Sequence, residues 1–255
     1  MAFSEGEYLY IEDESGKKFW FRLEFGMVKM GGLGVIDGKK FQGLDDGDTV
    51  DIVGKQFAVF RPTVTDLMES LDRGAQIITP KDASAIILEC DIHEGTKVIE
   101  VGAGSGGLTT ALLAAVGKTG HVHTLEIKEQ NAERVLKNLK RTGLDASWSY
   151  QIGDAREMEI DYGMADVVTT DMPDPENAID NLSKHLRNGG RICTYVPNAN
   201  QLDLAVRALR DRGFVDVRSF EIMRRGMEVH PGGVRPSFEM LGHTGYLTFA
   251  RKKRV

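Results

Sequence analysis

Hydrophobic and polar positions change their rhythm along the chain. Residues 7–12 and 17–23 are short, aromatic and β-branched, and they meet across Asp13-Glu14-Ser15-Gly16, a pattern that predicts a β-hairpin. Two more short strands are expected at residues 49–53 and 56–60, turning at Gly54-Lys55. Glycine-rich residues 31–34 and the acidic turn 45–48 separate these pieces, and no helix of ordinary length is expected. Asp45, Asp46 and Asp48 lack the spacing and closing glutamate of a calcium loop, so they read as a polar turn. Residues 1–62 are therefore expected to form a small β-barrel-like domain ending at Arg61-Pro62.

A second domain is expected over residues 63–255. Residues 63–71 predict a short linking helix. Residues 76–82 read as an extended apolar piece stopped at Pro80, with Asp82 capping a helix over 83–90. From residue 97 strands alternate with helices. The strands are expected at 97–101, 121–127, 148–152, 166–170 and 191–196, the helices at 108–116, 129–142, 176–186 and 201–213. That alternation predicts a doubly wound, mostly parallel α/β sheet covered on both faces. Two final strands, at 215–223 and 245–252 with no full helix between them, predict a terminal antiparallel pair.

Composition changes this picture little. With 41% hydrophobic and 27% charged residues, the 255-residue chain has the make-up of a soluble globular protein. No apolar run approaches the roughly 20 residues that span a bilayer, and no leader pattern opens the chain, so a cytoplasmic protein is expected. Cys90 and Cys193 lie far apart in apolar runs and read as small core residues. His121 and His123 share a strand face without the acid or cysteine spacing of a metal site, and no metal is expected. The net charge of −6 excludes strong indiscriminate nucleic-acid binding but leaves room for local basic patches. Candidates for phosphate contact are Lys39, Lys40, Arg224, Arg225, Arg235 and the run Arg251-Lys252-Lys253-Arg254.

The candidate chemistry centres on Lys97-Val98-Ile99-Glu100-Val101-Gly102-Ala103-Gly104-Ser105-Gly106-Gly107-Leu108-Thr109. An apolar strand breaks at glycines and runs into a helix, the corner that binds nucleotides in open α/β sheets. The next strand ends on Glu126, placed to accept the ribose hydroxyls of an adenosine. Gly102, Gly104 and Gly107 also satisfy G-x-G-x-x-G, so NAD and S-adenosylmethionine both remain open from this corner alone. Gly102-x-Gly104-x-Gly106 after Glu100 is nearer the form used by methyltransferases, as is the terminal strand pair. After the third strand, Asp154 is placed to accept from an adenine amine and Ala155 to offer its N–H to a ring nitrogen. The fourth strand stops at Asp171, ahead of the stiff Met172-Pro173-Asp174-Pro175, and Asp171 is the residue expected to carry chemistry.

Four motifs together resemble the tRNA adenine-N1 methyltransferases that modify the T-loop, in their single-polypeptide bacterial and archaeal form. They are Arg73-Gly74-Ala75-Gln76-Ile77-Ile78-x-Pro80-Lys81-Asp82, Glu100-x-Gly102-Ala103-Gly104-Ser105-Gly106, Asp171-x-Pro173-x-Pro175, and Arg235-Pro236-x-x-x-Met240-x-Gly242-His243-Thr244. The resemblance implies a class I methyltransferase sheet of Rossmann-like type, S-adenosylmethionine as cofactor, a tRNA substrate and a homotetramer. It implies cofactor contacts at Gln76, at Gly102, Ala103, Gly104, Ser105, Gly106, Gly107 and Leu108, and at Glu126, Asn131, Asp154, Ala155 and Asp171. Arg224, Arg225, Arg235 and His243 are implied on the tRNA side. Asn131 stands where many relatives have histidine, and Thr79, Glu176 and Met227 where aromatic residues are common.

For such an enzyme the target base must leave its stack. N1 of adenine already carries a lone pair, so the useful group is a carboxylate accepting from N6–H, and that role falls to Asp171. Two other classes compete. An NAD-dependent oxidoreductase fits the glycines but not Asp171-x-Pro173 or the terminal strands. A non-catalytic tRNA-binding subunit would be expected to lose the glycine corner and the strand-four acid, and this chain keeps both.

Overall fold

A computed structural model describes residues 1–74 and 76–254; Ala75, in the first of the four motifs, and Val255 lie outside the described residues. The chain divides into two compact units, Met1–Leu71 with Asn138–Gly143, and Asp72–Lys137 with Leu144–Val255.

In the first unit, β1 (Tyr8–Glu12), β2 (Lys18–Arg22), β5 (Thr49–Ile52) and β6 (Lys55–Phe60) form an antiparallel sheet in the order β2-β1-β6-β5. A separate ribbon pairs β3 (Met27–Met30) with β4 (Gly34–Asp37). The two enclose one apolar core that includes Leu9, Ile11, Phe21, Val28, Met30, Ile36, Phe41 and Phe57. The ribbon escapes a reading by periodicity because its strands are only four residues long. α1 (Val64–Glu69) opens with a capping box between Thr63 and Asp66. Lys18 binds Asp66 and Glu69, fastening α1 to β2.

The second unit holds a seven-stranded sheet. Its strands are β7 (Lys97–Val101), β8 (His121–Glu126), β9 (Trp148–Ile152), β10 (Ala165–Asp171), β11 (Leu186–Val196), β12 (Val215–Phe220) and β15 (Tyr246–Arg251), in the order β12-β15-β11-β10-β7-β8-β9. β7 to β11 run parallel, and β15 lies antiparallel to both β11 and β12. This is the mostly parallel sheet with a terminal antiparallel pair that the pattern predicts. The helices are α2 (Pro80–Glu89), α3 (Gly107–Val116), α4 (Glu129–Thr142), α5 (Ile179–His185) and α6 (Ala199–Asp211). One side of the core joins Ile99, Val168 and Ile192 of the strands to Ile179 and Leu182 of α5 and Leu209 of α6.

Three expectations need correction. Pro80 opens α2 where a stop was expected, because a proline at the first helical position gives up only an N–H that has no partner there. Asp82 is therefore not the cap. It lies in the first turn, buried, and accepts from the Thr79 hydroxyl, the Lys81 ammonium and the Thr244 hydroxyl. The helix expected at 176–186 is a 3-10 turn, Pro175–Asn177, followed by the shorter α5. The segment between the last two sheet strands carries a hairpin, β13 (Met227–His230) with β14 (Gly233–Pro236).

Cys90 and Cys193 are buried free thiols in the core. His121 and His123 both reach the Ser149 hydroxyl and stack on Tyr162. Among the described residues, no helix is long and apolar enough to cross a membrane.

Candidate active site

Parallel strands deliver their last residues to one edge of the sheet, and there Val101, Glu126, Ile152 and Asp171 end β7, β8, β9 and β10. The chain after Val101 needs glycine for two reasons. Gly102 has φ +86°, in the left-handed region, and a Cβ on it would lie 2.2 Å from the Asp171 carbonyl oxygen. The two loops are thus in backbone contact. Gly104, also left-handed at φ +53°, has open space where a Cβ would stand. Gly106 lies at the N-cap of α3 and packs against Val135.

The Glu126 carboxylate organises this turn. One oxygen accepts from the N–H groups of Ala103 (3.0 Å) and Gly104 (3.3 Å), the other from Lys128 N–H (2.9 Å). Behind it Glu100 is fully buried and accepts from the hydroxyls of Thr109 and Thr124. Burial above all, helped by the Asp171 and Glu126 carboxylates, pushes the Glu100 pKa up to about 7 against the pull of those two hydroxyls. Asp171 opens onto the cleft but is hemmed in by protein on its other sides. That confinement, with the Glu126 charge, pushes its pKa up to about 6. A cation placed beside Asp171 would favour its charged form and draw that pKa back down.

Beyond the glycine turn opens a cleft of about 620 Å³, lined in part by Gln76, Gly102, Gly104, Glu126, Asn131, Asp154, Ala155 and Asp171. An adjoining narrow recess brings in Ala103, Ser105, Gly107 and Leu108, again beside Gln76 and Asp171. The expected cofactor residues thus converge on one place, with Gly106 acting from the helix cap behind it. Sequence reasoning missed the neighbours Ile127, Lys128, Arg156 and Met172, which line the same cleft. Arg156 donates to Asp154 through its main chain and its guanidinium and reaches Asp174 at 2.7 Å. Those bonds hold the Asp154 pKa down at about 2.

The residues expected on the tRNA side divide. His243 bonds Glu221 (2.9 Å) and the Pro197 carbonyl (2.8 Å), and the Glu221 contact raises its pKa. Its neighbour Thr244 is buried, its hydroxyl taken by Lys81 and Asp82 and its carbonyl by the Tyr195 hydroxyl at 2.6 Å. Burial, then Asp82 and Asp171, push the Tyr195 pKa up to about 12. Tyr195 is also the register partner of Asp171. The first and last motifs of the sequence therefore meet, next to the strand-four acid. Arg235 instead sits on the β13–β14 hairpin, paired with Glu228 and stacked over Phe238 at 4.2 Å. On the same segment, Arg225 donates to the Ser237 carbonyl and Arg224 is exposed. Lys252 is spent inside the fold, donating to the carbonyls of Ser183 and Leu186 at the end of α5.

A glycine turn, a strand-two acid and a strand-four acid at the carboxyl edge of this sheet define an S-adenosylmethionine-dependent class I methyltransferase. The chain belongs to the family of the tRNA methyltransferase complex GCD14 subunit, which residues 57–235 match. It is 36% identical over 96% of its length, and 94% of the relative's, to the tRNA (adenine(57)-N(1)/adenine(58)-N(1))-methyltransferase TrmI of Methanocaldococcus jannaschii. It is 30% identical over 78% of both chains to the tRNA (adenine(58)-N(1))-methyltransferase TrmI of Thermus thermophilus. Among solved structures, an S-adenosylmethionine-dependent O-methyltransferase from Thermotoga maritima superposes with a TM-score of 0.86 at 29% identity, covering all of this chain and 96% of that one. The tRNA (m1A58) methyltransferase TrmI of Aquifex aeolicus superposes over the full length of both chains with a TM-score of 0.80 at 28% identity.

Proposed function

We propose that this chain methylates N1 of an adenine in the T-loop of tRNA, at position 58, with the neighbouring position 57 as a second candidate. The relatives divide on that point, the Methanocaldococcus protein being named for both positions and the Thermus protein for 58 alone. The observation that carries the reading is Asp171, set at the end of β10, in backbone contact with the glycine turn and on the wall of the cleft.

The donor set suits S-adenosylmethionine. Glu126 offers its carboxylate at the position of a ribose, Asp154 and Ala155 lie where an adenine would rest, and Gln76 and Asp171 flank the methionine end. When bound, the cofactor supplies a methyl group already activated by its sulfonium charge. This chain's residues then position and polarise. Asp171 accepts a hydrogen bond from N6–H of the target adenine, which directs electron density to N1 and stabilises the cation formed there. The Lys81–Asp82–Thr244–Tyr195 network holds the wall beside Asp171, so that N1 meets the methyl group at a fixed angle.

The unit at residues 1–71 serves tRNA binding or assembly, since acids such as Glu7, Asp13, Asp45, Asp66 and Glu69 are held in turns and ion pairs. Phosphate contacts fall to exposed arginines on the 224–235 segment, with His243 nearer the base. A homotetramer accounts for an acidic chain acting on RNA, because several basic clusters then surround one tRNA. Met227, Val229, Val234 and Phe238, all exposed on and beside the β13–β14 hairpin, supply an apolar surface for a second copy. The protein acts in the cytoplasm.

The test is incubation with labelled S-adenosylmethionine and unmodified tRNA, followed by nucleoside mapping. Label at N1 of the T-loop adenine is expected. Label elsewhere, or none with a correctly bound cofactor, would overturn the assignment.

A further inference from the structure

Two segments that line the cleft are each anchored from behind by a different helix. Residues 153–158 are held by Asn181 of α5, whose side-chain amide donates to the carbonyls of Ala155 (3.1 Å) and Met158 (2.8 Å). The loop after Asp171 is held by Gln201 of α6, which donates to the Pro173 carbonyl. Across the front of the cleft the two are joined by Arg156, which binds Asp154 on one side and Asp174 on the other.

The Asp154 carboxylate is largely engaged by this arrangement. Its Oδ1 accepts from Arg156 N–H (3.0 Å) and Nε (2.8 Å), and its Oδ2 from Nε (3.0 Å) and Nη2 (2.5 Å). A carboxylate has about four acceptor positions, and three N–H groups of this one residue, with the single Nε hydrogen shared between the two oxygens, occupy most of them. A new donor arriving at Asp154 competes most directly with the shared Nε hydrogen. The guanidinium is a rigid planar fork, so loosening it on one side changes how it engages the other. On that other side, Asp174, three residues beyond Asp171 in the same loop, also accepts from Asn177 at 3.1 Å.

We propose that Arg156 is a positioning residue that couples occupancy of the adenine end of the cleft to the setting of the loop carrying Asp171. This rests on the reading of the cleft as the cofactor site. An adenine amine donating to Asp154 takes over one acceptor position, and the released guanidinium arm commits to Asp174. Cofactor binding thereby firms the loop at the acceptor end before the base arrives. The pairs are partly exposed, each worth little alone, so the effect is one of geometry and not of overall stability.

Hydrogen exchange of the full-length protein, with and without saturating S-adenosylhomocysteine, tests this without tRNA. In the wild type the ligand should slow exchange of the amides at residues 171–178 several-fold. Arg156→Gln and Asp174→Asn should bind the ligand at saturation and unfold near the wild-type temperature, yet lose most of that protection. Arg156→Lys, which keeps the charge but cannot bridge two carboxylates, should recover less than half of it. Single-turnover methylation of tRNA should fall in Asp174→Asn, and the double variant Arg156→Gln/Asp174→Asn should be no slower than Arg156→Gln. Wild-type protection in Arg156→Gln, or multiplicative rate losses in the double variant, would overturn the coupling. A wild type that shows ligand protection but methylates no tRNA would overturn the proposed acceptor and leave the coupling standing. No binding of S-adenosylhomocysteine would overturn both.

Discussion

Asp171 and Glu100 are both carboxylic acids pushed toward neutrality, and they answer to pH in different ways. If Asp171 works as a carboxylate, the rate of methyl transfer should rise with pH up to about 6 and be level above it. Asp171→Asn should lose that acid limb and lower single-turnover transfer by roughly a hundredfold, the effect of removing about 3 kcal/mol of oriented electrostatic stabilisation. Binding of tRNA, set by phosphate contacts elsewhere, should change little. A near wild-type rate would make Asp171 a turn residue. Glu100 affects the fold instead. Its folded pKa of about 7 stands above the ordinary 4.5, so the native state keeps a proton that the unfolded chain has lost. Stability therefore falls as pH rises through that window, and above it the buried charge costs up to about 3 kcal/mol. Glu100→Gln should raise the melting temperature at pH 8 and leave it nearly unchanged at pH 4, a comparison that calorimetry can make directly. The positions of Asp171 and Glu126 were legible in the sequence because an apolar run that stops on an acid marks a strand end. The Lys81–Asp82–Thr244 link was not, since its partners stand 162 and 163 positions apart and only the fold brings them together.

Elements carry the site through their ends. Gly102→Ala would place a methyl group against the Asp171 carbonyl and force a left-handed backbone on alanine. It should abolish measurable S-adenosylhomocysteine binding by calorimetry while the far-ultraviolet circular dichroism stays native. The start of α2 has a comparable dependence on one hydroxyl. Thr244→Val leaves the buried Asp82 and Lys81 each short of a partner, so it should destabilise the protein by about 1–3 kcal/mol in denaturant unfolding. It should also weaken catalysis, since Tyr195 holds the same residue. Long elements with a clear period were readable, as β7, β8, β10 and α4 show. The ribbons β3–β4 and β13–β14 were not, because a strand of four residues offers only two positions on each face. Pro80 misled for a related reason, since a proline that stops one element is also one that starts the next.

At the scale of the whole chain, the first unit should be separable from cofactor chemistry. Removing residues 1–71, which leaves the Asn138–Gly143 part of that unit in place, is expected to keep S-adenosylhomocysteine affinity within about threefold of the intact protein and to abolish tRNA methylation. Full activity on tRNA after that removal would show that the unit serves neither RNA nor assembly. The large sheet has its own history, written in its strand order. β15 lies between β11 and β12, although β12 precedes it in the chain. During synthesis β12 therefore leaves the ribosome before β15, its neighbour in the sheet, is made, and β11 meanwhile keeps an open edge. Such edges recruit foreign strands. The paired edges of β11 and β12 are completed only when Tyr246–Arg251, the last strand of the sheet in the chain, takes its place between them.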